Sequence, residues 1–159
     1  MFEDRVARLG EVLVSRGLWL CTAESCTGGL VGHVLTSVSG SSLWYVGGVV
    51  AYANSVKEGV LGVPPDVLAQ HGAVSREVVE AMASGAAGLL GADVGVSLSG
   101  VAGPTGGTPD KPVGLVWIGF YGPWGVEAES FRFGGGREEV KRASAEAAVE
   151  GVLSRLEAS

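Results

Sequence analysis

Four apolar residues in succession, Leu18-Trp19-Leu20-Cys21, lead into Thr22-Ala23-Glu24-Ser25-Cys26-Thr27-Gly28-Gly29. Apolar residues at helical spacing (Leu30, Val31, Val34, Leu35) lead out. The stretch is therefore expected to form a strand over 18–24, a tight turn, and a helix over 27–38. An apolar run without alternation belongs to a strand buried on both faces, which needs a sheet lying between helix layers. Ser25 is then expected near a helix N-terminus, where free N–H groups and the positive dipole end favour anions. A serine there serves either as a nucleophile beside a ready-made oxyanion hole or as an ordinary helix cap.

The rest of the chain alternates in the same way. An amphipathic helix is expected over 3–15 (Val6, Leu9, Leu13), ended by Arg16-Gly17. A second strand over 44–52 carries Gly47-Gly48, which marks a bulge or a close approach. A short helix over 54–61 is followed by one starting at Pro64-Pro65 and ending near His71-Gly72. Ser75 suits the cap of a longer helix over 76–90, with Val78, Val79, Met82, Ala86 and Leu89 facing inward and Gly91 ending it. A third strand, 93–98, runs into a glycine-rich loop that continues through Lys111-Pro112. Strands over 113–120 and 126–133 should form a hairpin, with the apolar register slipping between Ala128 and Phe131. A last helix over 137–156 follows Gly134-Gly135-Gly136. No repeat or linker interrupts this order. One domain over 1–159 is expected, α/β in class: three α/β/α layers around a mixed, mostly parallel sheet.

Several function classes are disfavoured. The net charge of −6 argues against nucleic-acid binding, which needs a basic face. No apolar run approaches a membrane span. The charged N-terminal residues lack a signal-peptide core, so a cytoplasmic location is expected. Cys21 and Cys26 suggest no disulfide framework, and His33 and His71 lie too far apart for a zinc site.

Ser25, the segment from Tyr52 to Lys57, and the loop from Gly100 to Gly107 each follow a strand. Ligands sit off the carboxyl ends of strands in open α/β sheets, so parallel neighbours would bring the three together. Ser25 needs a base. His33, eight residues on, is about 12 Å along the helix axis. Lys57 is the candidate, provided that desolvation lowers its pKa. Tyr52 would relay a proton or position the amine, and Asn54 would orient substrate. Cys26 competes as nucleophile, or is a small buried apolar residue. Glu24 either bonds backbone or holds substrate, unless it merely faces solvent. Lys111 and Arg137 are the cations expected near an anionic substrate.

Taken together, the motifs resemble the CinA carboxy-terminal-domain family, the nicotinamide-nucleotide amidohydrolases. The resemblance rests on Ala23-Glu24-Ser25-Cys26-Thr27-Gly28-Gly29, Leu35-Thr36 with Gly40-Ser41-Ser42, and Tyr52-x-Asn54-x-x-Lys57 with Leu61-Gly62-Val63. Gly72-Ala73-Val74-Ser75, Gly100-x-Ala102-Gly103-Pro104-x-Gly106-Gly107 and Lys111-Pro112-Val113-Gly114 complete it, in order, from about residue 5 onward. It implies hydrolysis of the carboxamide of nicotinamide mononucleotide to nicotinic acid mononucleotide and ammonia. Ser25 would be the nucleophile, assisted by Lys57 and Tyr52, with no metal or other cofactor. Substrate would meet Glu24, Cys26, Thr27, Gly28, Asn54, Gly100, Ala102, Gly103 and Arg137, the last following Phe133 and Gly135 as in the family. Two positions depart from the family pattern, Ala53 for a common serine and Gly136 for a frequent acid; neither belongs to the catalytic set. Longer relatives carry a preceding molybdopterin-binding-like domain, whose activity is not expected here. The alternatives are an amidase for another small amide, or a nucleotide- or partner-binding protein without turnover. A homo-oligomer is also expected, which would allow one subunit to complete its neighbour's site.

Overall fold

In a computed structural model describing residues 2–159, the apolar run forms β1 (Leu20–Glu24), and all five of its residues are buried. It follows α1 (Phe2–Arg16) and precedes α2 (Leu30–Thr36), β2 (Tyr45–Val50), α3 (Asn54–Gly59) and α4 (Pro65–His71). The chain continues through α5 (Arg76–Leu90), β3 (Val94–Gly100), β4 (Leu115–Gly122), β5 (Gly125–Arg132) and α6 (Arg137–Ala158). The strands make one sheet in the order β2-β1-β3-β4-β5. β1 is parallel to β2 and β3, and β4 is antiparallel to β3 and β5. Only β4 runs against the other four, so the sheet is mixed and mostly parallel, as expected.

Each face of the sheet buries a separate core. On one face α1, α2 and α6 pack against Leu20, Val96, Leu98, Ile118 and Phe120. On the other, α5 packs against Cys21 and Ala23. β3 divides its residues by size: Val94, Val96 and Leu98 point to the first core, while Gly95 and Ser97 lie beneath α5. A Cβ on Gly95 would come within 2.6 Å of the Ala83 carbonyl oxygen, and Ser97 Oγ donates to the Val79 carbonyl at 2.5 Å. Small residues thus let α5 lie close on the sheet. Among the described residues, no helix is long and apolar enough to cross a membrane.

Several details differ from the sequence expectation. The helix expected over 27–38 starts at Leu30, because Gly28 and Gly29 take left-handed φ values of 60° and 107° that break a helix. Leu89 is exposed rather than inward. No slip separates Ala128 from Phe131: the β4–β5 pairing is continuous, and the two residues simply serve opposite cores. At Gly47-Gly48 both alternatives occur. The register skips Val46, with Leu20 opposite Tyr45 and Cys21 opposite Gly47, and any Cβ on Gly48 would overlap the Thr22 hydroxyl. The Ser75 cap forms through Val78 N–H. β1, β2 and β3 end on one edge, and that edge carries the site.

Candidate active site

The site starts with Glu24, the last residue of β1. Its carboxylate is buried and turns forward onto α2. Oε1 accepts from the Thr27 hydroxyl at 2.6 Å, Val31 N–H at 2.9 Å and Gly29 N–H at 3.2 Å; Oε2 accepts from Gly32 N–H at 3.0 Å. These backbone groups include the orphan donors that open α2. Glu24 therefore caps the helix, and Ser25 does not. Glu24 and Thr27, expected at the substrate, are both engaged in this cap.

Ser25 continues the strand pairing by one residue, its N–H donating to the Leu98 carbonyl at 2.9 Å, while its own carbonyl accepts from Gly28 N–H at 3.1 Å. Its hydroxyl is left for Lys57, whose Nζ stands 3.0 Å away. Lys57 lies one turn into α3 and is 1% exposed. The amine also donates to the backbone carbonyl of Tyr52 at 3.0 Å. Among the described residues no carboxylate touches it. Burial holds its pKa below the ordinary 10.5, so an appreciable neutral fraction forms at lower pH than for a free lysine. A neutral amine accepts a hydrogen bond from the serine hydroxyl, and the protonated amine donates one. The pair is thus built to pass a proton along one 3.0 Å line.

Cys26 adjoins the nucleophile position, yet its thiol is pushed up to about 11, chiefly by burial. It stays protonated near neutral pH and is a poor competitor for the attacking role. The Cys26 and Thr27 N–H groups have no backbone acceptor among the described residues, whereas the Gly28 N–H is taken by the Ser25 carbonyl.

A cavity of about 250 Å³ opens in front of Ser25. Cys26, Tyr52, Gly100, Ala102, Gly103 and Arg137 line it with Ser25, and so do Val101, Thr105 and Gly106 of the β3–β4 loop. Gly103 needs its left-handed φ of 85°, and a Cβ there would lie 2.5 Å from the Val113 side chain. Tyr52 forms an exposed wall and meets Lys57 through its backbone, not its hydroxyl. Gly28 and the exposed Asn54 stand outside the lining. Lys111 is elsewhere: its ammonium bonds the His71 carbonyl at the end of α4, at 2.5 Å, favourable for a cation at a helix C-terminus. Lys141, not among the expected site residues, lies four residues after Arg137 on the same helix face and reaches the Gly28 turn. A larger apolar hollow between α1 and the Gly40–Trp44 stretch, about 490 Å³, holds no nucleophile–base pair.

The family model described as the CinA C-terminal domain matches residues 3–156. The chain is 47% identical over 146 residues to a protein of Enterobacter agglomerans named nicotinamide-nucleotide amidohydrolase PncC, covering 89% of each. It is 59% identical over 114 residues to a CinA-like protein of Salinibacter ruber, covering 72% of this chain but 28% of that one. A CinA-like protein of Desulfotalea psychrophila is 49% identical over 138 residues and is covered over 33% of its length. The chain thus spans about a third of these longer relatives. Among solved structures, a CinA superfamily protein of Klebsiella pneumoniae superposes with a TM-score of 0.95 at 34% identity, covering 100% and 99% of the two chains. One from Agrobacterium tumefaciens, titled competence/damage inducible protein CihA, gives 0.93 at 39% identity over 98% and 95%.

Proposed function

The chain belongs to the CinA C-terminal domain family, and from that premise we propose that it hydrolyses the carboxamide of nicotinamide mononucleotide. The observation that carries the reading is the buried 3.0 Å contact between Lys57 Nζ and Ser25 Oγ. A lysine buried without a carboxylate is a base in waiting, and a serine whose hydroxyl is not used as a cap is free to attack. The name carried by the Enterobacter relative supports the choice of substrate.

Neutral Lys57 takes the Ser25 proton as Oγ bonds to the amide carbon. The Cys26 and Thr27 N–H groups hold the oxyanion, each donor typically contributing a few kcal/mol. The Lys57 ammonium, steadied by the Tyr52 carbonyl, then protonates the departing nitrogen, which leaves as ammonia. Water attacks the acyl-serine as Lys57 takes its proton; the acyl–Oγ bond then breaks, the Lys57 ammonium returns that proton to Ser25 Oγ, and the carboxylic acid product leaves with the neutral pair regenerated. The β3–β4 loop and the Tyr52 ring enclose the base and ribose, and Arg137 meets the phosphate.

The test is ammonia release from the mononucleotide and from a panel of other small amides. Turnover confined to a different amide would shift the substrate. Tight mononucleotide binding in calorimetry without ammonia would replace the enzyme with a binding protein. A cytoplasmic homo-oligomer without nucleic-acid or membrane partners belongs to the same proposal. Exposed Leu43, Val46, Val50 and Val60 near the sheet's open edge support self-association, and sedimentation at several concentrations tests it.

A further inference from the structure

Two cations stand beside the Ser25 turn with no acid to answer them. Arg137 opens α6 and lines the cavity. Lys141 follows one helical turn later, so the two share a face. Its ammonium reaches the turn after Ser25: a Cβ built on Gly28 would lie 3.9 Å from Lys141 Nζ. Its charge is felt at the Cys26 thiol, where it opposes the upward push of burial.

Most of the chain's other cations are answered. Arg5, Arg8, Arg76 and Arg155 all meet glutamates. Arg16 bonds the Leu156 carbonyl, and Lys111 bonds the His71 carbonyl. Arg132, Arg137, Lys141 and Arg142 have no such partner among the described residues; Arg132 and Arg142 are exposed and outside the cavity lining, whereas Arg137 lines the cavity and Lys141, at the Gly28 turn, is half-buried. Like charges four residues apart destabilise a helix. An acidic chain, net −6, keeps this pair uncompensated, with Arg137 in the cavity lining and Lys141 at the turn that follows Ser25. A dianion placed between the two side chains would relieve the repulsion and satisfy both.

We propose that Lys141 joins Arg137 in a clamp for a terminal phosphomonoester, and that it makes the site select nucleotides over nucleosides and free amides. The proposal rests on the amidase reading for its turnover test, but its binding test does not. A phosphomonoester carries close to two negative charges at neutral pH, which two cations match and one does not. A nucleoside amide presents the same carboxamide to Ser25 without engaging Lys141.

The experiment compares nicotinamide mononucleotide with nicotinamide riboside in wild type, Lys141→Gln and Lys141→Arg, with ribose 5-phosphate binding measured by calorimetry. Lys141→Gln is expected to lower kcat/KM for the mononucleotide roughly 10- to 100-fold, the range of one charged hydrogen bond. The loss should fall on KM, leave riboside turnover unchanged, and be largely restored in Lys141→Arg. Ribose 5-phosphate binding should weaken in parallel. An equal loss on both substrates, or no loss on the mononucleotide, overturns the clamp. If wild type releases ammonia from neither substrate, the amidase reading falls and calorimetry alone judges the clamp. Absent binding to wild type, or unchanged binding in Lys141→Gln, then overturns it.

Discussion

At the scale of single residues, the proposed chemistry depends on one buried amine. Ser25→Ala is expected to reduce ammonia release roughly 10³-fold or more, as loss of a nucleophile does. Cys26→Ala should stay within a few-fold of wild type, since its protonated thiol takes no part. Activity should rise with pH along a limb governed by Lys57, centred below 10.5, and Lys57→Arg should be inactive throughout because a guanidinium does not give up its proton. The same amine shapes stability. Its pKa is lower folded than unfolded, so the unfolded chain binds more protons between the folded value and 10.5, and wild-type stability rises with pH through that window. Lys57→Met should therefore melt above wild type at neutral pH, by about 2–4 °C per kcal/mol of relief. The advantage should shrink as the pH approaches 10.5. Thermal unfolding followed by circular dichroism at two pH values checks both signs. Ser25, Lys57 and the glycine-rich loop were legible as a group because each follows a strand. Their 3.0 Å contact was not, since spacing along a chain does not say which way a side chain turns. Glu24 shows this plainly: backbone bonding and substrate contact stood as alternatives in the sequence, and its four bonds to Thr27, Gly29, Val31 and Gly32 appear only in three dimensions.

At the scale of elements, that cap is the test case. Glu24→Ala removes the acceptor for four donors at the start of α2. A cost of about 2–4 kcal/mol is expected, above an ordinary cap because Glu24, Thr27 and Val31 are buried. Urea unfolding measures it, and Ser25→Ala, which caps nothing, should cost far less. A second element-level contact ties the β3–β4 loop to α4 through Lys111 and the His71 carbonyl. Lys111→Met is expected to raise KM several-fold while kcat changes little, because the loop lines the cavity and Lys57 is untouched. Steady-state kinetics separates the two constants. Element types were legible throughout from period and punctuation. Boundaries were less so: α2 begins three residues late because two consecutive glycines adopt left-handed backbone, which composition permits but does not require.

At the scale of the molecule, the architecture depends on α5 lying close to the sheet. Gly119 sits beneath it, where an added Cβ would press on the Val79 carbonyl and the Ser97 hydroxyl. Gly119→Ala is expected to destabilise by about 1–3 kcal/mol, the usual consequence of overfilling a packed layer, and the melting temperature reports it. The three layers and the parallel ordering of β1, β2 and β3 were legible because strands alternate with helices and β1 is apolar without alternation. The opposite facing of Ala128 and Phe131 was not, since an odd spacing looks like a slip until both sides of a sheet have a core.

The β3–β4 loop has a consequence for how such a molecule diversifies. Ser25 and Lys57 come from residues 22–57, the first held by the β1–β3 pairing and the second by the short helix that follows β2, while much of the cavity wall comes from residues 100–106. The loop is fastened at its base, where Val101 N–H meets the Leu115 carbonyl at 2.9 Å, and at Lys111. Reactive centre and enclosure are therefore separate cassettes of one chain. Exchanging the segment between those two fastenings should retarget the amide accepted while leaving the proton path intact, so new selectivity can be grafted without rebuilding the catalyst.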